Sequence, residues 1–360
     1  MTPLMNTTND LTSENKSTQK SRRIGNVVIN IGLFIAGLCV SFGIAEIFFA
    51  TWESYLLKTM GVFVPVDPKY DGAAWEVDPM QAGRFVWQAD GNSIVHIRSK
   101  NKKLMYELRP NAEISEIIKI NSGGFRDREY PKEKPSNVFR IAVVGDSVTF
   151  GWRQRLEDTY PKKLEALLQN HNTPNTQFEV LNFGIGGYNA EQEAELLRVK
   201  VLDYHPDLIL IGFCPNDGQI GFDGGLWWHF FHGPSRTISF IRLMSIYREY
   251  KADPLFLLRR AYRDILNISQ ETNIPVHICI FPMIQGDELY VTPGFIQLLE
   301  QLNLPYFSLV PLFAENDYKQ LMLDTVHFTV AGHEFTAQKI YEYLVRNKIV
   351  PLSTSEIANN

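Results

Sequence analysis

VFRIAVVGDSVTFG, residues 138–151, is the stretch that decides the fold. Its first half, Val138–Val144, is a short apolar run of the kind that forms a strand buried in a sheet. The run leads into Gly145-Asp146-Ser147. A serine one turn beyond a buried strand can point its hydroxyl out of the strand end and into a cleft. The three residues are common, and taken alone they fit a turn whose serine caps a helix better than they fit a catalytic serine.

Apolar runs alternate with amphipathic helices through the rest of the chain. One helix is predicted from about Thr159, and another from Asn189, whose spacing to Gln192 fits a capping pair. Such alternation indicates a parallel sheet covered by helices on both faces. Residues 136–348 are therefore predicted to form a three-layer α/β/α domain. The other runs are Phe178–Leu181, Leu208–Phe213, Val276–Phe281 and Tyr306–Val310, and the last helix covers about Ala331 to Arg346.

Polar blocks follow the second and third apolar runs, at the strand ends where sites form in such sheets. The block at 182–187 reads NFGIGG, and its glycines let the backbone aim N–H groups at an oxygen atom. A dinucleotide loop is the rival interpretation, although the full G-x-G-x-x-G spacing is missing. The block at 214–217 reads CPND. Asn216 in it can donate its amide to a developing oxyanion, or simply form a turn.

A fourth block, DTVH at 324–327, precedes the last predicted helix. A histidine three residues after an aspartate can bring both groups into one site. His327 would then act as a general base toward Ser147, with Asp324 orienting the imidazole and stabilising its charged form. The alternative is a solvated pair on a surface turn.

In this order, the four blocks together resemble the SGNH hydrolase superfamily, also called GDSL esterases. The resemblance covers about residues 136–348 and implies a flavodoxin-like fold, ester cleavage through an acyl-enzyme, and no metal or organic cofactor. It implies Ser147 as nucleophile, His327 as base and Asp324 as the residue that orients it. The oxyanion hole would be the N–H groups of Ser147 and Gly187 with the amide of Asn216.

One residue departs from the family pattern, and several features stay open. Cys214 stands where the family usually has glycine, which affects the local backbone of the third block. His277 is expected to be a hydrogen-bonded core residue and His333 to lie in the first turn of the last helix. The aromatic segment 226–232 either shapes a substrate cleft or is a packed hydrophobic loop.

The same blocks leave the fate of the acyl group undecided. An esterase passes it to water, whereas an O-acyltransferase passes it to a polysaccharide hydroxyl with the same residues. A membrane-tethered binding or assembly factor with a vestigial site is a third class, but such a site should have lost a polar member. Acetylated cell-envelope glycans and lipid-like esters are both plausible substrates.

The N-terminal third predicts a membrane anchor. Residues 1–23 are polar, end in basic residues and are expected to be a disordered cytoplasmic tail. Val27–Ala45 is nearly all apolar and uncharged, so 24–50 is predicted to be a transmembrane signal anchor. The positive-inside rule then places the catalytic domain outside the cytoplasm in a single-pass protein. A cleaved signal peptide is the rival, although no clear A-x-A site follows.

The remaining segments and the composition add limits. Residues 51–135 are expected to be a small β-rich lead-in packed on the main domain, with strands near Ile94–Arg98 and Leu104–Leu108, and 349–360 a disordered tail. The net charge of -5 and the lack of a basic stretch in the bulk of the chain argue against nucleic-acid binding. Three cysteines make neither a disulfide framework nor a structural zinc site.

Overall fold

The structure is a computed structural model that describes most of the chain beyond residue 117. The predicted tail 1–23, the ends of the predicted anchor, most of the lead-in before residue 95, the aromatic segment 226–232 and residues 352–360 lie outside the described residues. The described ranges are 30–48, 51, 95–101, 103–104, 106–114, 118–170, 176–218 and 236–351.

The described residues form eleven strands and ten α-helices. The strands are β1 His96–Arg98, β2 Tyr106–Leu108, β3 Glu113–Ile114, β4 Ile118–Lys119, β5 Val138–Gly145, β6 Gln177–Gly184, β7 Leu208–Phe213, β8 Val276–Ile280, β9 Met283–Gln285, β10 Glu288–Tyr290 and β11 Tyr306–Ser308. The helices are α1 Asn30–Phe48, α2 Ser147–Phe150, α3 Tyr160–Gln169, α4 Ala190–Val199, α5 Arg236–Ala252, α6 Phe256–Thr272, α7 Phe295–Gln301, α8 Val310–Ala314, α9 Tyr318–Leu321 and α10 Val330–Arg346.

Five of the strands build one parallel sheet in the order β11-β8-β7-β5-β6. When these five strands are numbered in chain order, their arrangement in the sheet is the flavodoxin-like one. The predicted fold class is therefore confirmed. The strand order reverses between β5 and β7, and ligands in such sheets bind beyond the carboxyl ends at that point. The apolar run at Tyr306–Val310 ends as a strand at Ser308, because Pro311 lies in the first turn of α8.

Alternate side chains of the strands enter two hydrophobic cores, one on each face of the sheet. On β5, Ile141 and Val143 face the core covered by α3 and α10, while Ala142 and Val144 face the core covered by α4 and α6. All four side chains are fully buried. A central parallel strand buried on both faces needs an unbroken apolar run, which is why Val138–Val144 reads as it does.

The lead-in residues pack on the α4 side of the sheet. Strands β1 and β2 form one antiparallel ribbon, and β3 and β4 form another. Leu108, Ile118 and Phe125 are buried in the same core as Phe183 of β6. Contacts therefore cross the predicted domain boundary between residues 135 and 136, which stays a prediction.

Three glycines lie side by side at the carboxyl edge of the sheet. Gly145 pairs in register with Gly184 on β6 and with Gly212 on β7, and we call these three residues the glycine row. A Cβ on Gly145 would lie 2.2 Å from Thr149 Oγ1, and one on Gly184 would lie 2.2 Å from the backbone nitrogen of Phe150. Helix α2 therefore rests directly on the sheet, at a distance that only glycine permits.

Helix α1 lies near the N-terminus of the chain. Its mean hydropathy is 2.2 and none of its most apolar window is buried against the rest of the protein. By length and composition it is able to cross a membrane, and a signal sequence near an N-terminus passes the same test.

Candidate active site

Ser147 is the first residue of α2, immediately beyond the glycine row. Asp146 caps the helix, and its Oδ1 accepts a hydrogen bond from the backbone N–H of Val148 at 2.9 Å. Gly151 ends the helix in the left-handed region, with φ of 79°. The serine side chain is half-buried, whereas Asp146 is fully buried. A four-residue helix capped at both ends thus holds the hydroxyl at the edge of the sheet.

The predicted base lies on a tight loop between α9 and α10. An antiparallel bridge joins Met322 to Phe328, and the Leu323 N–H donates to the His327 carbonyl at 2.7 Å. Within the loop, Asp324 Oδ1 accepts backbone N–H groups of Val326 at 2.9 Å and His327 at 2.8 Å. These bonds form a local turn that fixes the aspartate relative to the histidine.

The loop brings its two side chains to the serine. His327 Nδ1 lies 2.8 Å from Asp324 Oδ2, and His327 Nε2 lies 2.8 Å from Ser147 Oγ. A carboxylate accepts only, so Nδ1 carries the hydrogen, and Nε2 of a neutral ring then offers its lone pair to the serine hydroxyl. Burial acts to raise the pKa of Asp324, but the hydrogen bonds and charge of His327 outweigh it and lower that pKa to about 2.

Asn216 lies in the turn Pro215–Gly218 that follows β7. Its Nδ2 donates to Asp146 Oδ2 at 2.9 Å, and this bond uses one of the two hydrogens that the amide carries. The departure at Cys214 does not disturb this turn, because the Cys214 N–H donates to Asp217 Oδ2 at 2.7 Å. The Cys214 side chain is buried in the core on the α3 side.

Gly187 follows β6, three residues beyond Gly184 of the glycine row. It adopts a φ of 77°, which favours glycine. The preceding carbonyl, of Gly186, accepts a hydrogen bond from the Tyr106 hydroxyl at 2.8 Å. Tyr188 in turn donates its hydroxyl to the Tyr106 carbonyl. The lead-in thus fixes the peptide between Gly186 and Gly187, whose N–H is the predicted oxyanion donor.

Three buried acids lie behind Ser147. Asp146, Glu193 and Asp217 are each at most 1% exposed. Burial raises the pKa of each of these carboxyls, and their mutual repulsion adds to the rise for Glu193 and Asp217. Neither carboxyl oxygen of Glu193 has a hydrogen-bond partner among the described residues. Burial therefore makes ionisation of all three carboxyls less favourable than it is in water.

Sequence reasoning did not assign roles to four residues that support the site. They are Asp146, which orients Asn216, Trp152, whose ring lies 6.0 Å from that of His327, Arg126, which binds the end of α2, and Gln154, which donates to the Phe328 carbonyl at 3.0 Å. The G-D-S spacing was a usable signal for Asp146. For the other three, the contacts join residues far apart in sequence, and no local pattern reports them.

The two other histidines of interest lie where they were expected. His333 is in the first turn of α10, where its Nδ1 accepts the Tyr160 N–H at 3.2 Å, and burial lowers its pKa to about 3. His277, on β8, bonds the Tyr343 hydroxyl at 2.8 Å. One ring nitrogen of each histidine thus has a hydrogen-bond partner on a neighbouring helix.

A serine, a histidine and an aspartate thus form a hydrogen-bonded series beyond the carboxyl edge of a parallel sheet. This arrangement is the architecture of a serine hydrolase. A model of the GDSL-like lipase/acylhydrolase family matches residues 143–335, more than half of the chain. The chain belongs to this family and is an ester hydrolase of the SGNH type. The matched segment contains all five predicted site residues: Ser147, Gly187, Asn216, Asp324 and His327.

Several solved structures are similar to the chain at low identity. A lipolytic protein of the G-D-S-L family from Desulfitobacterium hafniense DCB-2 is 12% identical, covering 57% of this chain and 98% of that one, with a TM-score of 0.39. The acetyl xylan esterase AlAXEase is 20% identical, covering 57% and 99%, with a TM-score of 0.40. A lipase/acylhydrolase from Enterococcus faecalis is 16% identical, covering 57% and 94%, with a TM-score of 0.38. No curated protein sequence matches the chain.

Proposed function

We propose that the protein is a membrane-anchored serine esterase that cleaves acyl esters, with Ser147, His327 and Asp324 as its triad. The observation that carries this proposal is the hydrogen-bonded series from Asp324 Oδ2 through His327 to Ser147 Oγ, with both bonds to the ring at 2.8 Å. A solvated surface pair, the alternative interpretation of the fourth block, would have no reason to end on the serine that follows β5.

The residues divide the chemistry as follows. His327 Nε2 takes the proton of Ser147 as Oγ attacks the ester carbonyl, and the alcohol leaves with a proton returned by His327. Asp324 stabilises the imidazolium formed meanwhile. The negative carbonyl oxygen accepts the N–H groups of Ser147 and Gly187 and the amide of Asn216. Water then repeats the sequence on the acyl-enzyme and releases the acid.

The test of the triad is a short-to-long acyl p-nitrophenyl ester panel on the full chain in detergent. Ser147→Ala should remove nearly all turnover, and adding His327→Ala should lower the residual rate little further, because residues that act as one unit are strongly non-additive. Asp324→Ala should be milder. A fluorophosphonate should label wild type and leave Ser147→Ala unlabelled. Full labelling of Ser147→Ala, or simple multiplicative losses, would show that the triad is misassigned.

The substrate is either an acetylated glycan or an ester of a longer, lipid-like acyl group. The same panel of p-nitrophenyl esters separates these two classes. A rate that falls steeply beyond two acyl carbons favours an acetylated glycan. A rate that rises with acyl length favours a lipid-like ester. Both outcomes leave the triad intact, because the panel probes only the acyl side of the cleft.

Anchoring by α1 is supported by its apolar length and by the basic residues that precede it. The helix spans Asn30–Phe48, and Lys16, Lys20, Arg22 and Arg23 lie before it. By the positive-inside rule the catalytic domain is extracytoplasmic. A reporter that works only outside the cytoplasm, fused after residue 60, should be active. An inactive fusion at normal expression would reverse the orientation, and a soluble, shortened product would indicate a cleaved signal instead.

A further inference from the structure

A buried arginine from the lead-in holds the end of the helix that carries Ser147. Arg126 is 1% exposed. Its Nη1 donates to the carbonyls of Phe150 and Gly151, each at 2.8 Å, and its Nη2 donates to the Gln154 carbonyl at 2.5 Å. The guanidinium carbon lies 4.9 Å from the centroid of the Phe150 ring. One planar group thus gathers three carbonyls over the turn that follows α2.

The same turn continues to the loop that carries His327. The backbone N–H of Gln154 donates to the Gly151 carbonyl at 3.0 Å, and its side-chain Nε2 donates to the Phe328 carbonyl at 3.0 Å. Phe328 directly follows His327 in sequence. A continuous series of hydrogen bonds therefore links Arg126 to the C-terminal end of α2, which carries Ser147, and to Phe328, which follows His327.

Hydrogen bonds of the neighbouring residue hold the backbone that carries Arg126 in place. The neighbouring Asp127 accepts the backbone N–H of Asn182 on β6 at 2.9 Å and the ammonium of Lys162 on α3 at 2.9 Å. Burial lowers the pKa of Arg126 to about 10, so the guanidinium remains a cation at neutral pH. A buried cation opposite three carbonyl dipoles at a helix C-terminus is favourably placed.

We infer that Arg126 is a positioning residue for the esterase reaction, which sets the distance between Ser147 Oγ and His327 Nε2 through the turn 150–154. The inference rests on the triad of the proposed function. Arg126 lies outside the residues 143–335 that match the family, so the four sequence blocks do not include it. Misplacement of reacting groups by about 1 Å lowers turnover by about 100-fold, which is the size of effect at stake.

Two variants test it on the full chain. Arg126→Lys keeps the charge but replaces the fork with a single donor group, and Gln154→Met keeps the length but loses the donor to Phe328. Arg126→Lys should lower kcat about 10- to 100-fold and Gln154→Met about 10-fold, with KM changed less than about 2-fold. The rate of fluorophosphonate labelling should fall in parallel, and its dependence on pH should flatten. The double variant should resemble Arg126→Lys alone.

Arg128→Gln is the matched control. It breaks the ion pair between Arg128, which lies on the same lead-in segment as Arg126, and Glu165 on α3, and it should leave kcat unchanged. All rates are expressed per fluorophosphonate-labelled site, so a loss of folded protein alone leaves kcat at the wild-type value and overturns the inference. An equal loss in Arg128→Gln also overturns it, as do additive losses in the double variant.

Two further comparisons, with Gln154→Met and with Ser147→Ala, separate the possible outcomes. If Arg126→Lys does not fold, Gln154→Met decides alone, and wild-type kcat and labelling in that variant reject the inference. Ser147→Ala runs alongside. Turnover that survives in Ser147→Ala rejects the proposed triad itself, whereas an inactive Ser147→Ala with fully active Arg126→Lys and Gln154→Met rejects only the role of Arg126.

Discussion

The segment that carries Ser147 and the loop that carries His327 meet at one hydrogen bond, yet they are held by different forces. Helix α2 rests on the glycine row, where backbone touches backbone and Asp146 beside it is fully buried. Residues 323–327 of the other loop are exposed or half-exposed, and the Asp324 side chain is 40% exposed. Its shape comes from hydrogen bonds within the loop and from two outside donors, Gln154 and Ile284.

The difference predicts how each half of the site responds to change. A close-packed contact of backbone on backbone has no flexible group that can yield, so added volume must move the helix. A hydrogen-bonded surface loop is instead sensitive to the loss of a donor and to pH. We therefore expect substitutions that add volume to impair the part of the site that carries Ser147. Substitutions that change polarity should instead alter the part that carries His327.

Added volume under α2 should produce the largest effect. In Gly184→Ala the new methyl would lie 2.2 Å from the Phe150 nitrogen and 2.6 Å from the Thr149 carbonyl carbon. The helix must shift, and kcat should fall at least about 100-fold. The free energy of unfolding should fall by about 3 kcal/mol, the upper range for overpacking. Steady-state kinetics and urea unfolding measure the two effects.

Gly286→Ala, at an exposed glycine, is the control for this substitution. Gly286 lies in the β9–β10 turn with φ of 65° and no heavy atom within 4 Å of an added Cβ. Its substitution should cost about 1 kcal/mol of backbone strain and leave kcat unchanged. Wild-type activity in Gly184→Ala would mean that the glycine row does not position the serine.

Loss of an oxyanion donor should come next. Asn216→Ala should lower kcat by roughly 10²–10³ while KM changes little, because the amide acts on the charged intermediate. Asn316→Ala, at an exposed asparagine beyond α8, is the control and should be neutral. If Asn216→Ala retains activity within a few-fold of wild type, its amide serves only to hold Asp146.

The smallest expected effects are on stability, and they have opposite pH dependence in the two halves. The raised pKa of buried Glu193 means that folding is favoured by its neutral form and opposed as pH rises above about 4.3, the unfolded value. Glu193→Gln should therefore match wild type near pH 4 and have a Tm higher by about 4 °C at pH 8. A lower Tm at pH 8 would mean that the Glu193 carboxylate has a stabilising partner.

Asp324→Asn should behave in the opposite way. The pKa of Asp324 is about 2, so its ionised form stabilises the fold above its unfolded value of about 3.9, and this contribution disappears as pH falls toward 2. The variant should have a Tm lower than wild type at pH 7 by about 1–2 °C, because solvent screens the half-exposed carboxylate. The difference should shrink between about pH 4 and pH 3, as thermal scans across that range would reveal.

The sequence predicted the elements that periodicity reports. The apolar runs became the five parallel strands, and Asn189 with Gln192 forms the predicted capping box. Ser147, Asp324 and His327 are brought together as expected, because a parallel sheet aligns the carboxyl ends of its strands. Each of these predictions needs only the local pattern and the topology that it implies.

Partners across the fold were beyond such reasoning. Arg126 lies in the segment FRDREY, in which four of six residues are charged, yet its side chain is fully buried. Glu193 lies on α4 between the buried residues Gln192 and Ala194, and only the tertiary structure shows that its carboxyl is close enough to Asp146 for the two charges to repel each other. Burial of a charge depends on which element packs against it, and local composition does not encode that choice.

The buried lead-in segment sets a limit on where the chain can be shortened. Residues 118–130 supply Ile118 and Phe125 to the α4-side core, and Asp127 to the backbone of β6. A fragment starting at residue 136 would expose that core and leave the Asn182 N–H without its acceptor. Any truncation or domain graft that preserves the site should therefore begin before β1. The portable unit of this enzyme is longer at its N-terminus than the segment that its family shares.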